Sequence, residues 1–211
     1  MELDLYKKFK ERVKKQGLFS ALSYFLLTVG GEKLGVEIVK LFIFKQKLVK
    51  FTIESNIQVF NDFSKMPSHL INELNASCGM RFSSSAAYKL ENNAVLAVGL
   101  VDNHAASIAW LKKVDSLTSG IPSGGWLIHG CLTFPQYRGL GLYPNSIKKL
   151  CNYIIENTHN GARTNIFIES SIANSASISG ITQSDFEHFK TLIRYNDKAI
   201  YSTTKNIREI D

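Results

Sequence analysis

The stretch Thr133–Tyr143, TFPQYRGLGLY, is the most informative part of this sequence. It follows an apolar run typical of a strand (Gly125–Thr133) and leads into a helical pattern (Leu142–Asn157). Gly139 and Gly141 allow a tight turn that exposes successive backbone N–H groups at the helix start. Such N–H groups, together with the helix dipole, attract anions such as phosphate. The stretch therefore predicts an anion-binding loop between a strand and a helix.

Two well-known phosphate loops are excluded by the residues that follow. The dinucleotide-binding fingerprint needs a third glycine three residues after the second, and this chain has none there after Gly141. A Walker A loop needs a Gly-Lys-Ser/Thr run, which is absent after Gly141. The remaining alternative is that Gly139 and Gly141 are ordinary turn glycines.

The patterns around this loop predict strands and helices in alternation. Short runs separated by polar turns indicate an antiparallel meander; these runs are Ser83–Leu90, Ala94–Val101 and Ala106–Lys113. The other predicted elements are an extended stretch at Val49–Phe60, a loop and helix at Asn61–Leu74 with Pro67 near the helix start, a strand at Asn165–Ser170, a helix at Asn174–Ser184 with Asn174 as N-cap, and a hairpin of Lys190–Tyr195 and Lys198–Thr204. This order is typical of a mixed α/β sheet.

The charge of the chain is concentrated at its N-terminus. The 211 residues carry a net charge of +7, yet residues 1–50 hold eleven Lys/Arg against five Asp/Glu. A hydrophobic share of 45% excludes a disordered chain. A nucleic-acid-binding protein would spread its basic residues along a binding surface, so this function is not expected. The body of the protein, 51–211, is nearly neutral.

Residues 1–47 are predicted to form a basic helical extension, and 48–211 to form the main domain. Helical spacing indicates an amphipathic helix at 3–15, an apolar helix at Leu18–Val29 and a third helix at Lys33–Phe44. The extension either packs on the domain or on a second subunit of a homodimer, or it lies on an anionic membrane surface. The longest uncharged run, Gln16–Gly31, is too short to cross a bilayer comfortably.

The cysteines and the N-terminus point to the cytoplasm. Cys78, Cys131 and Cys151 are odd in number and widely spaced, so they predict neither a disulfide framework nor a zinc site, and no metal is expected. The N-terminus lacks the order of segments that defines a signal peptide. We expect a cytoplasmic protein, or one at the inner face of the membrane if the extension binds lipid.

The loop resembles a known family. Gln136–Gly141, QYRGLG, matches the Q/R-x-x-G-x-G/A loop of the GNAT (Gcn5-related) N-acetyltransferases. Asn174–Ser177, with Phe186 twelve residues after Asn174, matches the family's N-x-x-A/S…G-F signature. The resemblance implies a GNAT-like mixed, mostly antiparallel twisted sheet flanked by helices. It also implies that acetyl-CoA is the acyl donor, with its pyrophosphate held by the loop N–H groups.

The resemblance assigns a set of residues to acetyl-CoA, among them the end of the strand before the loop. They are Leu132, Thr133, Gln136, Tyr137, Arg138, Gly139, Leu140, Gly141, Leu142, Tyr143, Asn174 and Ser177. The implied reaction is the direct attack of an amine on the thioester. The Gly-Leu-Tyr-Pro run at 141–144 resembles a subgroup associated with glycans or nucleotide sugars, which suggests an amino sugar or another small amine as acceptor. The meander and the N-terminal segments are expected to form the acceptor site.

Two positions depart from the family pattern. Ile181 stands where many members have a tyrosine that protonates the leaving thiolate, and Asp185 replaces the glycine before Phe186. Tyr143 or a water could supply the proton instead. Two alternatives follow: an acyl-CoA-binding module without transfer activity, and a membrane-peripheral acyltransferase that acts on a lipid-linked glycan.

His129 and Glu169 are the candidate catalytic residues. The attacking amine must be neutral, so a base nearby has to accept its proton. His129 lies four residues before Thr133, so strand alternation predicts that both face one side. Glu169 ends an apolar strand and faces either solvent or the cleft. A histidine in the core remains the alternative for His129. We interpret Asp102 and His104 as surface residues and Cys131 as core packing.

Overall fold

The described strands form one mixed sheet. The computed structural model describes residues 36–44, 56–114, 120–157, 164–195 and 198–204. The strands are β1 (Val36–Phe44), β2 (Asn56–Phe60), β3 (Val95–Val101), β4 (His104–Lys113), β5 (Trp126–Thr133), β6 (Ile166–Ser171), β7 (Phe186–Tyr195) and β8 (Lys198–Thr204). Their order across the sheet is β2-β3-β4-β5-β6-β1-β7-β8. Neighbouring strands are antiparallel except for β5 and β6, which are parallel.

Helices cover the sheet on both faces. They are α1 (Ser68–Cys78), α2 (Phe82–Glu91), α3 (Leu142–Asn157) and α4 (Ser175–Thr182), with 3-10 turns at Phe63–Lys65 and Pro135–Tyr137. On one face, Ile147, Leu150 and Ile154 of α3 are buried with Ile181 of α4 and Ile128 of the sheet. The three-and-four spacing of the α3 residues places them on one stripe, so the whole helix docks through that stripe.

The opposite face is covered by α1 and α2. Leu74 of α1 and Ala86 and Leu90 of α2 pack in one cluster with Leu96 and Trp110 of the sheet. Beyond β5 on this side, a further cluster is formed by β-strand residues together with two loop residues. Its buried members are Val39, Leu41, Val114, Ile121, Leu127, Phe167 and Leu192. The two faces will be called the α3/α4 face and the α1/α2 face.

The structure confirms the predicted fold class, a mixed and mostly antiparallel sheet flanked by helices. The helix at Leu142–Asn157 has the predicted bounds, and the strand at Gly125–Thr133 and the hairpin strand at Lys198–Thr204 agree within one residue. Pro67 stands directly before α1, as predicted. The Asn174 side chain caps α4 by accepting a hydrogen bond from the Ser177 N–H at 3.0 Å.

The prediction of a third N-terminal helix at Lys33–Phe44 is wrong. Residues Val36–Phe44 form β1, which pairs with β6 on one side and β7 on the other. Val39 and Leu41 are buried on one face of this strand, while Phe42 and Phe44 are buried on the other. A strand buried on both faces reads as a continuous apolar run, which sequence periodicity does not separate from a buried helix. The sheet therefore begins before the boundary at residue 47.

The prediction of a strand at Ser83–Leu90 is also wrong, because Phe82–Glu91 forms α2. Its buried residues, Phe82, Ala86 and Leu90, recur every four positions and so lie on one helical face. The predicted helices at 3–15 and Leu18–Val29 lie outside the described residues, as does most of the extended stretch before β2. Among the helices that the structure describes, none has the length and apolarity needed to span a bilayer.

Candidate active site

The two parallel strands in the middle of the sheet separate before they end. β5 and β6 pair only from Trp126 with Ile166 to Ile128 with Ile168, although β5 continues to Thr133. β4 stays paired with β5 as far as Thr133. Beyond residue 128, β5 and β6 therefore offer unpaired backbone groups to each other across an opening. An extended ligand can bind such an edge through strand-like hydrogen bonds.

A cavity of about 730 Å³ lies beside this opening, on the α3/α4 face. Its wall includes ten of the twelve residues that the sequence assigns to the acyl donor: Leu132, Thr133, Tyr137, Arg138, Gly139, Gly141, Leu142, Tyr143, Asn174 and Ser177. Gln136 and Leu140 are exposed and lie outside this wall. Side chains of α4 complete the cavity. We call it the α3/α4 cavity.

The glycines of the loop have the backbone conformation that the sequence predicted. Gly139 has a φ of 88° and Gly141 a φ of 69°, in the left-handed region that side chains disfavour. The Asn145 N–H donates to the Gly141 carbonyl at 3.2 Å, near the start of α3. The N–H groups of residues 139–143 precede this bond, so helix geometry leaves them without intrahelical acceptors. Backbone N–H groups left free in this way can bind an anion.

Tyr143 connects the two helices that line the cavity. Its hydroxyl is 2.7 Å from the Ser177 hydroxyl. A Cβ on Gly180 would meet the Tyr143 ring at 2.4 Å, so only glycine fits beneath it. Burial raises the pKa of Tyr143 well above its usual value, and burial likewise raises the pKa of the Cys131 thiol to about 12. Cys131 is therefore a protonated thiol, which fits core packing better than covalent chemistry.

His129 does not share a face with Thr133, contrary to the prediction from alternation. Gly130 has a φ of 57°, and the β4–β5 register shifts at this point, as in a β-bulge. His129 is paired with Trp110 on the α1/α2 face, whereas Thr133 is paired with Ser107, whose hydroxyl meets Ser146 of α3. The extra residue reverses the alternation between the two positions.

The imidazole of His129 is held neutral by its surroundings. Burial, together with the nearby cations Lys112 and Lys89, lowers its pKa to about 4. A neutral imidazole has a lone pair that can accept a proton. His129 lies one residue past the last β5–β6 pair and so at the start of the opening.

Glu169 also lies at the start of the opening, one residue past the last pair on β6. Its carboxylate accepts hydrogen bonds from both terminal nitrogens of Arg194, one of them at 3.0 Å. Arg194 is buried, with 6% of its surface exposed. This two-point contact fixes the carboxylate and occupies both of its oxygens. Glu169 is paired with Leu41, which is buried on the α1/α2 side of the sheet, so Glu169 and His129 share that face.

Comparison with solved structures identifies the fold. A protein described as an acetyltransferase of the GNAT family from Novosphingobium aromaticivorans is similar to this chain, with a TM-score of 0.53 and 15% identity over 75% of this chain and 62% of its own. A GNAT-family acetyltransferase from Colwellia psychrerythraea has a TM-score of 0.57 and 11% identity over 77% of this chain and 56% of its own. The chain has the GNAT fold.

The likeness is one of structure rather than sequence. No protein-family model matches the chain, and no curated protein matches it. The chain covers less than two thirds of the length of each of the two proteins above. The likeness therefore establishes the fold, and the function has to be argued from the site itself.

The two departures from the GNAT signature have clear structural positions. Ile181 is fully buried in the core of the α3/α4 face, so no side chain reaches from there toward a thiolate. Asp185 has a φ of 60°, in the left-handed region that glycine adopts without strain and aspartate adopts at some cost. Glycine would therefore suit this position, whereas the buried Ile181 cannot replace the chemistry of a tyrosine.

A second cavity, of about 520 Å³, lies on the α1/α2 face of this GNAT fold. Its wall includes Arg81, Lys89, Trp110 and Gly130. The Lys89 ammonium lies 4.6 Å from the centre of the Trp110 ring. We call it the α1/α2 cavity. Lys89 and Trp110 lie in the meander runs where an acceptor site was expected, but no motif in the sequence singles them out.

Proposed function

We propose that this protein is an acetyl-CoA-dependent N-acetyltransferase that acts by direct attack of an amine on the thioester. The observation that carries the proposal is the position of the glycine loop. The glycine loop at the start of α3 and the unpaired end of β5 line the same cavity. A ligand with a pyrophosphate at one end and an extended amide chain at the other fits this combination.

The donor would be held by the α3/α4 cavity. The N–H groups of residues 139–143 face the pyrophosphate, and the exposed Arg138 adds a positive charge beside them. When bound, acetyl-CoA supplies a thioester carbonyl that an amine can attack. The N–H groups of β5 near Thr133, at the opening, can stabilise the negative charge that develops on the carbonyl oxygen.

His129 is our choice for the group that takes the amine proton. The new C–N bond forms as the C–S bond breaks, so the amine nitrogen must lose one proton and the thiolate leaves with the electron pair. His129 is neutral and stands on the face opposite the α3/α4 cavity, where an incoming amine would approach. Glu169, held by Arg194, would position the amine or a bridging water.

The leaving thiolate need not be protonated by the family's usual tyrosine. A thiolate is a tolerable leaving group, since the thiol pKa lies near 8.5 in model compounds. The Tyr143 hydroxyl lines the α3/α4 cavity and stays protonated, because burial raises its pKa. Tyr143 can therefore donate a hydrogen bond to the leaving thiolate, and a water can supply the proton that the thiolate takes up after the C–S bond breaks.

The test is whether a free thiol and an acetylated amine appear together. The full chain would be incubated with acetyl-CoA and a panel of small amines that includes amino sugars. We expect thiol release in step with acetylated product and no product without an amine. Failure of acetyl-CoA to bind at millimolar concentration would contradict the proposal.

A second candidate function is an acyl-CoA-binding module without transfer. The buried Ile181 in place of the usual acid favours it. Binding of acetyl-CoA with no transfer to any amine of the panel would support this candidate instead.

Peripheral membrane contact through the N-terminal extension is a separate proposal. Liposome flotation should compare the full chain with a truncation that begins at residue 34, because the strand Val36–Phe44 belongs to the sheet.

A further inference from the structure

We propose that the acceptor is an amine that also carries an anionic group, a carboxylate or a phosphate, which binds Arg81 and Lys89 in the α1/α2 cavity. The inference rests on the proposed acetyl transfer and specifies its substrate class. It draws on three observations: where the cavity meets the opening, which charges surround it, and what forms its floor.

The α1/α2 cavity reaches the same strand segment as the α3/α4 cavity, but from the other face. Gly130 lines the α1/α2 cavity, and the next three residues, 131–133, line the α3/α4 cavity. Both segments lie where β5 has separated from β6. An amine in the α1/α2 cavity can therefore meet a thioester in the opening without passing through the donor site.

The charges around the α1/α2 cavity are all positive. Arg81 and Lys89 line it, and Lys112 stands on the same face next to His129. Among the residues that the structure describes, no Asp or Glu lines this cavity and none forms an ion pair with these three cations. A polycationic acceptor would be repelled here, whereas an anion would be attracted.

Two carboxylates on this face, one from α1 and one from β6, are engaged with other partners. Glu73 of α1 contacts His104 Nδ1 at 2.8 Å and accepts a hydrogen bond from the Ala105 N–H at 2.7 Å. Glu169 is bound to Arg194. Neither carboxylate neutralises Arg81 or Lys89, so the cations are available to a ligand.

The floor of the cavity can hold the non-polar part of such an acceptor. Ile108 and Trp110 of β4 and Phe82 of α2 line it, and the rings of Phe82 and Trp110 lie 6.3 Å apart. An aromatic floor with cations at its side suits a sugar or apolar group that joins an anion to the amine.

The test measures binding of matched amines to the full chain saturated with coenzyme A, so that no reaction occurs. Glucosamine 6-phosphate is compared with glucosamine, and phenylalanine with phenylalaninamide, by calorimetry. We expect the anionic member of at least one pair to bind about tenfold or more tightly, and the pair that shows the difference distinguishes phosphate from carboxylate. Equal affinity within both pairs, or no binding at all, would overturn the inference.

Two charge-removing variants and a matched control complete the test. Arg81→Gln and Lys89→Gln should each reduce the preference for the anion by about tenfold. Lys113→Gln removes a cation from the opposite face of β4 and should leave the preference unchanged. A preference that survives both Arg81→Gln and Lys89→Gln would overturn the inference.

The outcome separates this inference from the proposed function. Selective binding of the anionic amine without acetyl transfer would support the inference and contradict the function. Transfer to charged and neutral amines at the same kcat/KM, with equal affinities, would support the function and overturn the inference.

Discussion

The two cavities on either side of the sheet are built from different materials. The α3/α4 cavity takes its character from the backbone: two left-handed glycines, the N–H groups at the start of α3, and unpaired strand edges. The α1/α2 cavity takes its character from side chains: two cations, Arg81 just before α2 and Lys89 in α2, and an aromatic floor from α2 and β4. Both reach β5 within four consecutive residues, 130–133.

This difference explains which cavity the sequence could reveal. A backbone site needs glycine at fixed positions and a helix at a fixed distance, so it leaves a local motif. A side-chain site combines residues from separate elements, with no fixed spacing. The sequence therefore named ten of the residues that line the α3/α4 cavity, whereas it singled out neither Arg81 nor Lys89.

The largest effect is expected for a variant at His129, which tests whether the two cavities have separate roles. His129→Gln should lower kcat by about a hundredfold, the loss typical of a general base. Acetyl-CoA affinity should stay unchanged, since His129 faces away from the α3/α4 cavity. Steady-state kinetics and calorimetry measure the two quantities. A variant that keeps the kcat of the wild type would remove His129 from the mechanism.

The protonation of His129 should also affect stability. Its pKa in the folded protein is about 4, below the ordinary 6.5, so the folded state binds fewer protons than the unfolded state. Its contribution is therefore complete above pH 6.5 and is lost as the pH falls toward 4. Between pH 7 and 4.5, the wild type should lose about 1–3 kcal/mol more unfolding free energy than His129→Gln. Urea unfolding measures this, and equal losses would show that the imidazole is well solvated.

A matched pair of glycine variants tests the backbone character of the α3/α4 cavity. Gly139 and Gly79 both have positive φ, at 88° and 98°, and a Cβ on either would meet open space. Gly139→Ala should cost about 1–2 kcal/mol of folding stability through backbone strain. Gly79→Ala should cost at least as much, because Gly79 has a ψ of 152°, in a region nearly restricted to glycine. Acetyl-CoA affinity should fall about tenfold in Gly139→Ala, because Gly139 lines the α3/α4 cavity. It should stay unchanged in Gly79→Ala, because Gly79 lines the α1/α2 cavity. Equal affinities in the two variants would place the pyrophosphate elsewhere.

The smallest effect is expected at Asp185, which lies outside both cavity walls. Asp185→Gly removes the strain of a left-handed aspartate and adds chain entropy to the unfolded state. The net gain in stability should be about 0.5 kcal/mol or less. Thermal unfolding measures this, with Asn103→Gly in the β3–β4 turn as control, since Asn103 has a similar φ of 64°. A clear loss of stability in Asp185→Gly would mean that the aspartate side chain is needed.

The sequence predicted the fold through the elements whose patterns are local. α3 has a regular apolar stripe, and the loop before it has its two glycines. β1 was missed because a strand buried on both faces has no alternation. The orientation of His129 was missed because a bulge at Gly130 adds one residue to the strand. The sequence of β5 does not indicate where its pairing with β4 shifts. These failures concern long-range pairing, which local periodicity does not record.

We propose that acetyl-CoA enters the opening from the α3/α4 face and the amine from the α1/α2 face. A crystal structure of the full chain with acetyl-CoA bound tests this most directly. We predict that the pyrophosphate contacts the N–H groups of residues 139–143 and that the thioester lies between β5 and β6 near Thr133. The α1/α2 cavity should remain open beside His129. A cofactor seated in the α1/α2 cavity, or one that does not enter between the two strands, would contradict the account.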